Sequence, residues 1–517
     1  MRASIKHTLS SIFVAVAIVA VVLFTWLQKF PFLMWEKESN GFFAWTDDYL
    51  EWVLSMPAPA SVFCGDFLTQ FFRFPLLGGL IQALGVLVVW LSLTVVMRRF
   101  RFPRWLEWIA VLPAAGLWWL QFGEEAMDST LPFAWFCLAT AAYVSLPWRW
   151  VRILVAIPTF FFLPTGAFIG WVDVVLVLEG ALYAGWTFPH TRDRYFLSPV
   201  LSIVIFGACC LFLMRNESLQ KNERWANIRY LAYSERWNKL YDLVCQQEIY
   251  ENMEVPYMLL ALSQRQQLGD YIFHYPINSE EYYLYIGMGT RDAYFFNQLF
   301  YAHLGMYNEA IHMAYQEKTR TRYPMSFRIL MNLVRFEAAR GDYRQADKYL
   351  DLLDRATCYG GWVAKHRPTR EQIDGTDTSK GASTFFITDS TLKNLYYEVQ
   401  MGSENLHLHY YYLNALLIRK NLLAFTKHIN EHPFLLEERI PRHFWEAIIL
   451  AKAQGFTVNN LNLLPGLYES FMDFQQLLGA QDKASIMKNY RYTYWFNYYF
   501  LTFPEDKAGG IKVVQKG

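Results

Sequence analysis

The chain has 517 residues, 54% apolar and 18% charged, with 47 basic against 46 acidic side chains. A net charge of +1 with no block of like charge excludes the electrostatic footprint of a nucleic-acid binder. The length exceeds one ordinary hydrophobic core and the mean hydropathy of +0.10 is high for a wholly soluble protein, so regions of different solvation are expected.

The long apolar runs fall within residues 1–215. Thr8–Leu27 carries no charge and is long enough, at 1.5 Å per residue, to cross a hydrocarbon layer of about 30 Å. It ends in FTWLQKFPFLMW, an interfacial aromatic belt that marks an uncleaved anchor. Further spans are predicted at about 75–97, 106–122, 131–148, 153–164, 168–186 and 196–213, making about seven. The stretch 153–186 holds Pro158, Pro164, Gly166 and Gly170 and reads as two short spans, with one span plus a re-entrant segment as the alternative. Arg2 and Lys6, Arg98 to Arg104, Arg149 and Arg152, and Arg192 and Arg194 all fall on one side of this alternation. Cytoplasmic loops retain such residues, so the N-terminus is expected inside and residues 216–517 outside.

The first outer loop, 28–74, contains GFFAWTDDYLEWVL with adjacent Asp47 and Asp48. Asp48 is positioned to cap a helix starting at Tyr49 or Leu50. Phe63, Phe67, Phe71 and Phe74 form a helical stripe suited to the headgroup region. The next outer loop, GEEAMDS, adds Glu124, Glu125 and Asp128. Within the sixth span Asp173 lies near the outer end and Glu179 near the middle, where an ionised group costs roughly 2.5–3.5 kcal/mol. Glu179 is expected to pair with a polar neighbour such as Gln82, to stay protonated or to line a wet cavity.

Residues 216–517 read as an aromatic-rich helical chain. Tyr301–Gln316 and Phe336–Leu353 share one pattern: a helix, a glycine, an aromatic two residues on and an alanine five residues on. These are Gly305, Tyr307 and Ala310, then Gly341, Tyr343 and Ala346. The pattern resembles the tetratricopeptide family, whose helix pairs turn at that glycine and cross closely at that alanine. Leu259–Tyr275, Trp225–Val244 and Tyr410–Ile429 fit less well, the last with NLLAF in place of the turn. The resemblance implies an α-solenoid that binds a protein or peptide partner. Residues 356–384 break the repeat as an irregular insertion, in which His366 and Arg367 could meet an anion. Asn489–Phe503 packs nine aromatics into fifteen positions and is expected to cap the last repeat. The six cysteines lack the spacing of a zinc site, and no metal ligands are assigned.

The predicted fold is therefore all-α: a polytopic membrane bundle followed by a tetratricopeptide-like solenoid. The acidic outer loops and N-in orientation also resemble the integral-membrane glycosyltransferases of the C-type fold. That resemblance implies a polyprenyl-phosphate sugar donor, an outer-loop aspartate (Asp47 or Asp48) as general base with Glu124 beside it, and Arg73 as the one outer cation for a lipid phosphate. It would also bring a divalent metal, whereas the residues themselves call for no cofactor. The chain resembles, in addition, an uncharacterised bacterial family of multi-span envelope proteins through Asp48, Tyr49 and FLTQFF (67–72). Three functions are open. The first is an inner-membrane protein displaying a periplasmic partner-binding domain, the second is the glycosyltransferase, and the third is a transporter using Glu179.

Overall fold

The computed structural model describes residues 2–501 apart from 124–126, 128, 186–196, 246–252, 276, 278–279, 284–288, 322, 324, 377–390, 438, 460 and 463. Among the described residues every regular element is helical, as an all-α fold requires. The chain forms two compact units: Met1–Tyr230 with Thr321–Val334 and Tyr343–Gly375, and Leu231–Arg320 with Arg335–Asp342 and Thr376–Gly517. The division expected at 215/216 is thus crossed by two later segments that join the first unit, through hydrogen bonds that no local pattern announces.

In the first unit four stretches are long and apolar enough to cross a membrane: Leu9–Lys29, Pro75–Arg99, Thr165–Tyr183 and Leu197–Arg215. Seven were expected. The other three fall short for distinct reasons. Residues 106–122 begin as a tight 3₁₀ stretch, Arg104–Ala110, before the helix Val111–Leu120. Thr130–Ser145 has 16 residues, about 24 Å of rise. The segment around Pro158 divides into Arg149–Leu154 and Ala156–Phe162. Trp26 stacks on Phe122 at 4.6 Å and Trp118 on Phe206 at 4.8 Å, so aromatic rings fill the bundle core. Pro75–Arg99 packs closely through Gly85, where an added Cβ would stand 2.9 Å from Thr130 Cγ2.

Glu179 pairs with Arg152, Nη1 to Oε2 2.6 Å, rather than with Gln82. Arg152 also donates to the Leu146 carbonyl and lies 5.8 Å from the Tyr143 ring centroid. Glu179 therefore has its compensation from Arg152, which the sequence marked only by its place in the charge alternation.

From Leu231 onward the chain forms helical hairpins that share one turn. Gly305 and Gly341 adopt φ of +79° and +89°, and Ala310 and Ala346 are buried, as the pattern demanded. Glu235, Gln266, Lys420 and Gln481 occupy the same left-handed position, each two residues before the next helix begins, at Trp237, Leu268, Leu422 and Lys483. In every case the residue after the left-handed one donates its N–H five residues back: Arg236 to Leu231, Gln267 to Leu262, Met306 to Tyr301, Asp342 to Glu337, Asn421 to Leu416 and Asp482 to Leu477. This is the Schellman closure of a helix C-terminus, which satisfies the last carbonyls and reverses the chain. The weaker-matching segments thus turn as the stronger ones do, with longer side chains accepting the strain a glycine avoids.

The aromatic terminus packs inward. Tyr494 and Trp495 are buried, with Tyr494 N donating to Glu446 Oε2 at 2.7 Å and Trp495 Nε1 to the Glu446 carbonyl at 2.8 Å. It covers the helix Arg442–Ala453 and presents these two rings to protein rather than to lipid.

Candidate functional site

Residues 28–74 hold three helices that make a platform within the first unit. Pro31–Asn40 starts on a proline, whose fixed φ and missing N–H suit a first turn. Its next two amides, Phe32 and Leu33, donate to the two oxygens of Glu223, each at 2.9 Å. Asp47–Leu54 is capped by Thr46, whose hydroxyl accepts from Tyr49 N, and the helix begins at Asp47 instead of Tyr49 or Leu50. Pro59–Thr69 follows and runs into a 3₁₀ turn, Gln70–Arg73. Phe63 and Phe67 each meet Phe43 edge-on at 5.4 Å, and Phe71 packs on Phe67. Three rings of the predicted lipid-facing stripe are therefore half-buried against other protein rings, and Phe74 stands exposed.

A short later segment, 355–359, is clamped on this platform. Trp45 N donates to the Arg355 carbonyl at 3.0 Å, Thr357 N donates to Gln70 Oε1 at 2.9 Å, and Trp45 Nε1 reaches Thr357 Oγ1 at 3.3 Å. Phe327 N donates to the Gly41 carbonyl at 2.9 Å. The centre is polar: the Tyr359 hydroxyl donates to Glu38 Oε1, the Tyr359 ring stacks on Phe327 at 4.2 Å, and the Arg73 guanidinium lies 4.6 Å from the Tyr359 centroid. Glu38 is 4% exposed and Tyr359 0%.

Burial raises the Glu38 carboxyl to about 7, against the opposing pull of the Tyr359 hydroxyl and the Arg73 charge. Burial also pushes the neighbouring Cys358 thiol up, with Arg73 acting the other way. The arrangement can hold or release one proton near neutral pH. Both partners are enclosed, and their hydrogen bond joins the loop to the later segment.

Asp47 and Asp48 stand exposed on the first turn of their helix, where negative charge suits the helix N-terminus. Arg73 lies on Tyr359. Glu179 lies on Arg152. Glu124, Glu125 and Asp128 fall outside the described residues, although Lys37 donates to the carbonyl of Gly123 at the edge of that loop. Within the insertion expected at 356–384, Gly360–His366 and Arg370–Asp374 are helical, and residues 377–384 lie outside the described residues. Its Arg367 is held by Asp347 at 2.9 Å and Asp351 at 2.8 Å, and His366 stacks on Trp362 at 3.9 Å. Glu38, Gln70 and Tyr359 were missed. Gln70 sits inside the FLTQFF stretch, and that was the available signal; Glu38 looked like any outer-loop acid.

A family model described as a family of unknown function, DUF6057, matches residues 5–501. The chain belongs to this family. The matched residues cover nearly all of the described part of both units. No curated protein matches, and no solved structure matches. Neither a glycosyltransferase nor a tetratricopeptide similarity is thereby added.

Proposed function

We propose that this DUF6057 protein is a multi-span bacterial inner-membrane protein that presents its helical hairpins in the periplasm to bind a protein or peptide partner. The observation that carries this reading is the Schellman turn repeated at Glu235, Gln266, Gly305, Gly341, Lys420 and Gln481. Successive hairpins of one geometry stack into extended surfaces suited to peptides and protein segments. The Pro465–Gly479 helix adds an exposed apolar stripe, with Leu464 at its N-cap and Tyr468 and Met472 each four residues on.

Sidedness is argued from the clamp. Loop 28–74 follows the first long helix and is bonded to Phe327 and to 355–359, so these segments share one side of the membrane. Three of the long helices lie between residue 74 and residue 321, an odd number. One or three of the shorter helices must then cross as well. The ends support three: Arg98 bonds Ser11 and Glu107 at one level, while Trp26 stacks on Phe122 and Gln121 donates to the Gln82 carbonyl at the other. Arg99 bonds the Val144 carbonyl, and Ser61 of the outer loop donates to the Phe162 carbonyl. On this reading the three shorter helices cross alongside the four long ones although each is under full span length, with the N-terminus inside. A carboxyl-terminal alkaline phosphatase fusion should be active and a fluorescent protein fusion dark; the reverse overturns the orientation.

Partner binding is tested in cells by crosslinking the full-length protein and identifying what copurifies. Tyr468→Glu with Met472→Glu should remove a reproducible partner at unchanged protein level, and an unchanged partner set would count against this surface. The glycosyltransferase reading draws less support, because Asp47 and Asp48 are solvated helix-end acids and Arg73 is engaged by Tyr359.

A further inference from the structure

Three histidines of the second unit gather on one hairpin. His409 lies on Leu406–Ile418, His428 on Leu422–Glu431, and His432 is the residue that ends the second helix. Their ring centroids are 5.1 Å (409 to 428), 4.8 Å (409 to 432) and 4.3 Å (428 to 432) apart. One ring nitrogen from each lies within 4.8 Å of the others. His428 and His432 are four residues apart, the spacing that puts two imidazoles on one helix face.

The hydrogen bonds set the tautomers. His409 Nε2 is 2.7 Å from the Ser403 carbonyl, which can only accept, so this nitrogen carries the proton and Nδ1 keeps its lone pair. His432 Nδ1 is 2.9 Å from the His428 carbonyl, so its basic nitrogen is Nε2. His409 Nδ1 therefore accepts from His428 Nε2–H, 3.0 Å away, and an ion bound between them would move the His428 proton to Nδ1 and free Nε2. A backbone carbonyl that fixes the far nitrogen of a histidine is the usual outer partner of a metal ligand. A tetrahedral ion with metal–nitrogen bonds of about 2.0–2.1 Å sets its ligand nitrogens roughly 3.3 Å apart; the 409–428 pair stands at 3.0 Å and all three nitrogens lie within 4.8 Å, so small side-chain rotations close the set.

We propose that His409, His428 and His432 form a binding site for one borderline divalent transition ion, zinc being the default, with a fourth position open to solvent beside half-buried His432. Three neutral imidazoles select zinc, copper, nickel or cobalt over calcium and magnesium, which want oxygen. Two of the ligands come from helices joined by the Lys420 turn, so a bound ion would staple that hairpin.

The test uses the full-length protein in detergent, purified on a tag without histidine and stripped with EDTA. Added Co2+ should bind one equivalent with the visible absorption of a four-coordinate nitrogen site, and Zn2+ should displace it and raise the unfolding temperature. His409→Gln and His432→Ala should each weaken binding by more than about 100-fold, beyond what loss of an outer partner costs. His312→Gln, at an exposed position elsewhere, should leave binding unchanged. Should His409→Gln lose helicity by circular dichroism, His432→Ala at the rim of the cluster gives the decision. Absence of stoichiometric Co2+ uptake, or uptake indifferent to His432→Ala, would make the trio a hydrogen-bonded packing motif and overturn the site.

Discussion

The clamp of the first unit and the helical hairpins hold their chains by opposite means. Each hairpin closes within about six residues through a left-handed turn and one backattached amide, so its geometry is local. The clamp joins residues separated by some 290 to 320 positions, through Thr357 to Gln70 and Tyr359 to Glu38. Local closure costs little chain entropy and tolerates side-chain variety at the turn; long-range closure depends on a few buried polar bonds, each expensive to lose.

This contrast can be broken most sharply at Tyr359. Tyr359→Ala removes a buried ring stacked on Phe327 and should cost about 3–5 kcal/mol of the first unit's stability, read by thermal or denaturant unfolding in detergent. Tyr359→Phe, which leaves Glu38 without its donor, should cost about 1–3 kcal/mol. The pH profile comes next. Glu38 rises from 4.5 to about 7 on folding, so its contribution is fully present below pH 4.5 and is lost as pH rises through about 7. Glu38→Gln should flatten that decline, and an unchanged slope would place the proton elsewhere.

The hairpins should respond more gently. Gly341→Ala forces a Cβ into the left-handed region and should cost about 1–2 kcal/mol, whereas Gln481→Gly at the equivalent position should gain up to about 1 kcal/mol by the same unfolding assay. The smallest effect is expected at the exposed acids: Asp47→Asn with Asp48→Asn should shift stability by less than about 0.5 kcal/mol and leave complementation intact. Loss of complementation at normal protein level would revive the glycosyltransferase reading.

Gly305 and Gly341 were legible because only glycine takes a positive φ without strain, and Ala310 and Ala346 because close crossings need a small side chain. Glu235, Gln266, Lys420 and Gln481 take the same conformation but carry no mark of it, since hydrogen bonding and packing outweigh a modest backbone penalty. Asp47 and Asp48 attracted notice as a pair, yet the titratable group the fold buries is Glu38, which differs from other acids only in its surroundings.

Composition and periodicity alone determined the all-α class, the apolar N-terminal runs and the two glycine-marked hairpins, because these depend on neighbours within a few residues. The tertiary structure decided which runs reach full span length, that Arg152 answers Glu179, that segment 355–359 belongs to the first unit, and that His409, His428 and His432 meet. Those outcomes depend on which distant side chains are brought into a medium of low polarity, where an unpaired group is costly and a partner must be found.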